Sequence, residues 1–276
     1  MRKHRVILPI AEFVTRAHAG RLPNNAVSLT FDDGYVDNLT HAAPILAQAD
    51  VPATLFLATG PCEHAERYWW DSLAGMILDA PRVEGSVDID GMRLEITLGT
   101  EEPQDSLREN WRSWEPRTQR ERLHYELWGR MRPLSVVALE NALYSLRSVF
   151  REKLPACSRP MTPTEVRALA TGSPFTVNSH TVDHVDLPMH DPTVNFDQIR
   201  GGVEGISRLL GYEARGFAYP YGRNSLETHS VVKAAGCLYG CTTNYGFIRR
   251  SFNPYRLPRL AAPNVSHIDW LMPTKA

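Results

Sequence analysis

Ser28-Leu29-Thr30-Phe31-Asp32-Asp33-Gly34-Tyr35 decides how this chain is read. The apolar residues Ala26, Val27, Leu29 and Phe31 run straight into two carboxylates and a glycine, the pattern of a buried strand that delivers acidic side chains to the end of a sheet. Far downstream, Asn178-Ser179-His180-Thr181-Val182-Asp183-His184 sets two histidines four residues apart. Two imidazoles and a carboxylate make a three-ligand set for a divalent metal ion, with positions left open for water and substrate. A second carboxylate beside them is then free to act as a base. Either stretch alone has an ordinary explanation, since paired aspartates cap turns and helices and an HxxxH spacing arises by chance.

A third stretch, Phe217-Ala218-Tyr219-Pro220-Tyr221-Gly222, follows in order. Together the three motifs resemble the polysaccharide deacetylase family (carbohydrate esterase family 4), over roughly residues 5–60 and 160–262. The resemblance implies a distorted, incomplete (β/α) barrel. It makes Asp32 the catalytic base and Asp33, His180 and His184 the ligands of Zn2+ or another divalent transition metal. Tyr219, Pro220, Tyr221 and Gly222 would wall the acetyl pocket, with a backbone N–H near Tyr221 helping to hold the oxyanion. The expected function is a metal-dependent hydrolase that removes an N-acetyl group from an acetamido sugar in surface polysaccharide or glycoconjugate biosynthesis. A non-sugar amide hydrolase and an inactive, metal-retaining saccharide-binding module are the alternatives.

The chain departs from the family pattern in two places. Many relatives supply a general acid from a Leu-x-His motif on a late strand, but Leu257-Pro258-Arg259-Leu260 has no histidine, which leaves His190 and His267 as nearby candidates. Relatives with the Phe-Ala-Tyr-Pro-Tyr-Gly variant carry an upstream strand ending in a Tyr-His-like motif, so the resemblance also implies such a strand ahead of Met1. An arginine that would hold the catalytic aspartate is missing from the approach to Pro220, where Tyr219 stands, and Arg215 and Arg259 are the possible substitutes.

A chain of 276 residues, 43% hydrophobic, can bury a large core. Its net charge of -1 provides no electrostatic footprint for nucleic acid or an anionic membrane. Four cysteines, Cys62, Cys157, Cys237 and Cys241, are too few for a disulfide framework, and the last two read as core residues. No apolar run approaches the ~20 residues of a membrane span, and the start of the chain lacks the pattern of a signal peptide. A cytoplasmic protein with an N-acetylated sugar as its partner is therefore expected; nothing in the sequence fixes the oligomeric state.

Along the chain, Val6-Ile7-Leu8 predicts a strand, Ile10 to Ala19 a helix closed by Gly20, Ala26–Phe31 the core strand, Asp37 to Ala49 a helix and Ala53–Ala58 a continuously apolar strand suited to a sheet covered on both faces. Residues 1–60 and 160–276 are assigned to the barrel and residues 61–159 to an inserted segment. That segment holds a helix opened by Trp69-Trp70-Asp71, a hairpin across Asp90-Gly91, and charged helices over Ser106–Trp114, Pro116–Arg130 and Leu134–Glu152. Trp111, Trp114 and Trp128 read either as a sugar-stacking platform or as anchors of the insertion. Thr162-Pro163-Thr164-Glu165 has the form of a capping box, and Asp191-Pro192 begins a longer helix ended by Gly211. Strands at 175–179, 216–219, 239–242 and 256–260 alternate with these helices, which argues for a parallel α/β barrel.

Overall fold

The computed structural model describes residues 5–100, 116, 118–153 and 159–262. The chain enters through β1 (Val6–Ile7) and α1 (Ile10–His18), and Gly20, at φ +67°, ends that helix in the left-handed conformation a helix stop favours. β2 (Ala26–Val27) pairs in parallel with β1, and after Ser28 the chain changes partners: β3 (Leu29–Asp33) joins the main sheet beside β4 (Ala53–Leu57). The single core strand expected over Ala26–Phe31 is thus two strands. The helix expected from Asp37 to Ala49 is likewise irregular, a π turn over Asn38–Ala42 leading into α2 (Ala43–Gln48). Pro44 has no N–H to donate back to Thr40, so a regular α ladder is not available there.

α3 (Thr59–His64) follows β4 and leads into a second lobe, over the residues expected as an insertion. α4 (Trp69–Ile77), the hairpin of β5 (Val83–Ile89) and β6 (Met92–Leu98), α5 (Gln119–Met131) and α6 (Val136–Val149) share a core of their own around Leu73, Met76, Ile77, Leu127, Met131 and Leu146. The hairpin turns on Asp90 (φ +55°) and Gly91 (φ +77°), two left-handed residues in succession, as a twisted two-residue connection needs. The helix expected over Ser106–Trp114 lies outside the described residues.

Regular alternation resumes with α7 (Pro163–Gly172), β7 (Phe175–Ser179), α8 (Pro192–Leu210), β8 (Gly216–Ala218), α9 (Leu226–Ala234), β9 (Tyr239–Tyr245) and β10 (Leu257–Arg259). The six-stranded sheet has the order β10-β9-β8-β7-β4-β3, and every pairing in it is parallel. β4 is buried along its whole length, with Ala53, Leu55 and Leu57 packed towards one core and Phe56 towards another. A strand covered on both faces must be apolar throughout, which is why its sequence shows no alternation.

The sheet curls but does not close. α1 covers its concave side, where Ile10 and Val14 meet Phe56, Tyr239, Cys241 and Leu257. Between the edge strands β3 and β10 lies a cavity of about 640 Å3, lined among others by Ile10, Phe13, Leu29 and Ile248 and reaching Asp32 and Arg259.

Candidate functional site

Parallel strands present their C-terminal ends on one side of the sheet, and the residues singled out in the sequence lie there. β3 ends in Asp32 and Asp33, and β7 ends at Ser179, immediately before His180. Asn178 ties β7 to the next crossover: its Oδ1 accepts from the backbone N–H groups of Arg215 (3.1 Å) and Gly216 (2.9 Å). The loop carrying the histidines is fastened to the start of α3, where Thr59 and Gly60 donate to the carbonyls of Thr181 and Val182. It is closed on itself by the His184 N–H donating to Thr181 Oγ1 (2.9 Å).

Asp33 Oδ1 lies 3.4 Å from His180 Nε2 and 3.3 Å from His184 Nε2. Ligand atoms each about 2.0–2.1 Å from a tetrahedral cation stand roughly 3.4 Å apart, so these separations fit one divalent ion. His180 Nδ1 sits 2.7 Å from the Ala218 carbonyl oxygen, which can only accept. Nδ1 therefore carries a proton, which leaves Nε2 to face Asp33 and, in the neutral ring, to ligate an ion, the arrangement that orients metal-ligating histidines. Among the described residues this is the one group of three or more acidic, histidine or cysteine side chains close enough to hold an ion.

Backbone strain is concentrated at the same place. Asp33 (φ +71°), Thr181 (φ +71°), His184 (φ +56°) and Tyr221 (φ +57°) are all left-handed without being glycine. Each costs roughly 1–2 kcal/mol against a right-handed alternative and persists only where its surroundings over-determine it.

Asp32, beside this group, reaches towards β10. Arg259 grips it with two bonds, NH1 to Oδ1 (2.7 Å) and NH2 to Oδ2 (2.6 Å), and is itself aimed by Nε donating to the Thr242 carbonyl (2.8 Å). Burial would raise the Asp32 carboxyl, but the charge and hydrogen bonds of Arg259 outweigh it and hold it below the usual range. Asp33 is also desolvated, yet its bonds to His180 and His184 carry it well below an ordinary carboxylate. Burial, only partly opposed by Asp33, pulls His184 down, which favours the neutral imidazole a cation requires. Of the two arginines considered from the sequence, Arg215 pairs instead with Glu213 on the surface.

The Phe217–Gly222 stretch divides. Tyr221 reaches the site, its ring centroid 4.7 Å from that of His184. Tyr219, expected to wall the acetyl pocket, is fully buried in the core behind the sheet, against Phe217 and His229, with its hydroxyl donating to the Tyr255 carbonyl. The cause is strand alternation: Tyr219 shares the outward face with Phe217, leaving Ala218 inside. Pro220 is buried, and Gly222 (φ +70°) is irreplaceable on space as well as conformation, since a Cβ there would stand 2.4 Å from the Thr243 backbone nitrogen. Trp128 packs 6.2 Å from Trp69 and 6.0 Å from Tyr221, within the junction between lobe and barrel. Trp111 and Trp114, like His267 and Cys157, lie outside the described residues. His190 is half-buried with Asp186 and Asp191 as its charged neighbours, and its desolvation lowers its pKa.

A sequence model described as "Polysaccharide deacetylase" matches residues 19–84 and 148–240. The chain belongs to the polysaccharide deacetylase family. The two matched stretches hold Asp32, Asp33, His180, His184 and the Phe217–Gly222 motif. No curated protein sequence matches the chain. Among solved structures, the chain is similar to the Streptococcus pyogenes deacetylase PplD (TM-score 0.57, 17% identity, covering 95% of this chain and 76% of that one). It is similar also to IcaB from Ammonifex degensii (0.54, 17%, 94% and 77%) and to the BpsB deacetylase domain from Bordetella bronchiseptica (0.52, 16%, 93% and 79%). At such identities the likeness is one of fold, a curled parallel half-barrel. No helix among the described residues is long and apolar enough to cross a membrane.

Proposed function

We propose that the chain is a metal-dependent N-deacetylase acting on an acetamido sugar. The observation that carries this reading is the convergence of Asp33, His180 and His184 on one ion-sized space, with Asp32 beside them in the grip of Arg259. Asp33, His180 and His184 would hold the ion, with Zn2+ the ion best suited to two imidazoles and a carboxylate. Bound there, a divalent cation supplies Lewis acidity to a carbonyl oxygen and lowers the pKa of water from 15.7 towards about 7.

Asp32, kept ionised by Arg259, accepts the proton of the water that attacks the acetamido carbonyl carbon. A backbone N–H near Tyr221 helps to hold the oxyanion, a kind of donor whose loss costs about 2.7–4 kcal/mol of barrier. The proton gained by Asp32 is the one the departing amine needs, so this carboxyl serves both half-reactions. The C–N bond breaks, and acetate and a free amino sugar result. The setting we propose is surface polysaccharide or glycoconjugate biosynthesis in the cytoplasm.

The test combines metal analysis of the purified protein with acetate release from N-acetylated mono- and oligosaccharides and from simple non-sugar amides. One equivalent of zinc or a related ion and acetate from a sugar are expected. Turnover of the non-sugar amides alone would move the assignment to another amide. A bound ion with no turnover would leave a saccharide-binding module, and absence of both would overturn the proposal.

A further inference from the structure

The ligands come from the barrel, but much of what holds them in place comes from the lobe with its own core around Leu73, Met76 and Leu127. Tyr68, the residue before α4, donates its hydroxyl to the Asp33 carbonyl at 2.5 Å, fixing the backbone of a ligand that is itself left-handed. Trp70 stands with its ring 4.7 Å from the His184 ring and stacks on Tyr68 at 4.4 Å, while Tyr68 meets His184 edge-on at 6.0 Å. The indole N–H of Trp70 donates to the Tyr35 hydroxyl (2.8 Å), which donates in turn to Asp71 (2.6 Å), so the chain just past Asp33 and Gly34 is tied to the same helix. Tyr221 covers another side of His184, at 4.7 Å between ring centroids. Beyond His184, the buried Asp186 is held by Arg132 of the lobe (Nε, 3.0 Å) and by Arg223 (NH1, 2.8 Å).

We infer that the lobe built around α4 is a working part of the metal centre, with Tyr68 and Trp70 as positioning residues that hold Asp33 and His184 in ion-binding geometry. The inference rests on the metal-dependent reading above. Its physical basis is that the ligand-bearing backbone is left-handed at Asp33, Thr181 and His184, and such conformations survive only under restraint. Bonds from the barrel restrain the Thr181 side, whereas Tyr68 and Trp70 restrain Asp33 and His184. Outer groups of this kind typically govern metal affinity by about 10–100-fold.

The experiment titrates Co2+ into the metal-free full-length protein and into three variants, reading affinity and the visible absorption of the bound ion. Tyr68→Phe removes the bond to Asp33 and keeps the ring; Trp70→Phe removes the bond to Tyr35 and trims the surface against His184. Val137→Ser, on the exposed face of α6, is the control within the lobe. Weakening of Co2+ binding by about 10–100-fold with an altered absorption band in the first two, and wild-type behaviour in the control, is expected. Should Tyr68→Phe fail to fold, Trp70→Phe alone carries the test. Wild-type affinity and spectrum in both Tyr68→Phe and Trp70→Phe would overturn this inference while leaving the metal reading intact. Absence of Co2+ binding by the wild-type protein would overturn both.

Discussion

Asp32 and Asp33 are neighbours in the chain with opposite partners, because successive strand residues point to different sides and Asp33 is then turned further by its left-handed backbone. Replacing Asp32 by Asn keeps the shape and removes the base, so acetate release is expected to fall about 10²–10⁴-fold with metal content unchanged. Arg259→Met has a different signature. Without the guanidinium, burial loses its main opposition and the Asp32 pKa rises, so a larger share of the proposed base is protonated at low pH and the acid limb of kcat/KM moves to higher pH. A pH profile of the variant against wild type measures that displacement. The two aspartates and two histidines were legible because each pair sits within one short motif. Arg259 was only one of two possibilities, since 227 positions separate it from Asp32 and no local pattern records which arginine the curl of the sheet will deliver. Tyr68 and Trp70 gave no signal at all, because a buried aromatic reads the same whether it fills a core or steadies a ligand.

Elements fix how precisely those residues are held. α8 lies so close to the histidine loop that a Cβ on Gly202 would stand 2.6 Å from Ser179 Oγ and 2.7 Å from the Thr181 carbonyl oxygen. Gly202→Ala is therefore expected to cost about 1–3 kcal/mol and to weaken ion binding by displacing His180, as a melt and a metal titration on one sample would show. α7 begins with the capping box anticipated from Thr162 and Glu165, reinforced by two bonds from Arg159 to Glu165. Those bonds lower the Glu165 carboxyl to about 2, so its contribution to stability is complete above its ordinary value, near 4.5, and is lost as pH falls through the folded one. Glu165→Gln is expected to cost about 1 kcal/mol near neutral pH and to flatten the stability curve between those two values, measured by denaturant unfolding across pH. Helices with a cap at one end and glycine at the other were readable at nearly their true lengths. The breaks were not. Ser28 separates two strands that pair with different neighbours, and only the three-dimensional arrangement tells them apart.

For the molecule as a whole, an ion that binds only the folded state stabilises it by mass action. At a free concentration one hundred times the dissociation constant the gain is about 2.7 kcal/mol. Chelation should therefore lower the melting temperature, and added zinc should restore it, with Asp33→Ala insensitive to both. The alternation of strand and helix announced a barrel and the family resemblance an incomplete one, but neither told that the gap would be a hollow between β3 and β10. Across that hollow the two margins are fastened by Arg259, which bonds Thr30 and Asp32 of β3 from its place on β10. In a closed barrel the proposed base would hang from a wall already complete. Here the rivet that joins the walls is also the counter-charge of that carboxylate, so architecture and the proposed chemistry share a fastening, and removing Arg259 would disturb both at once.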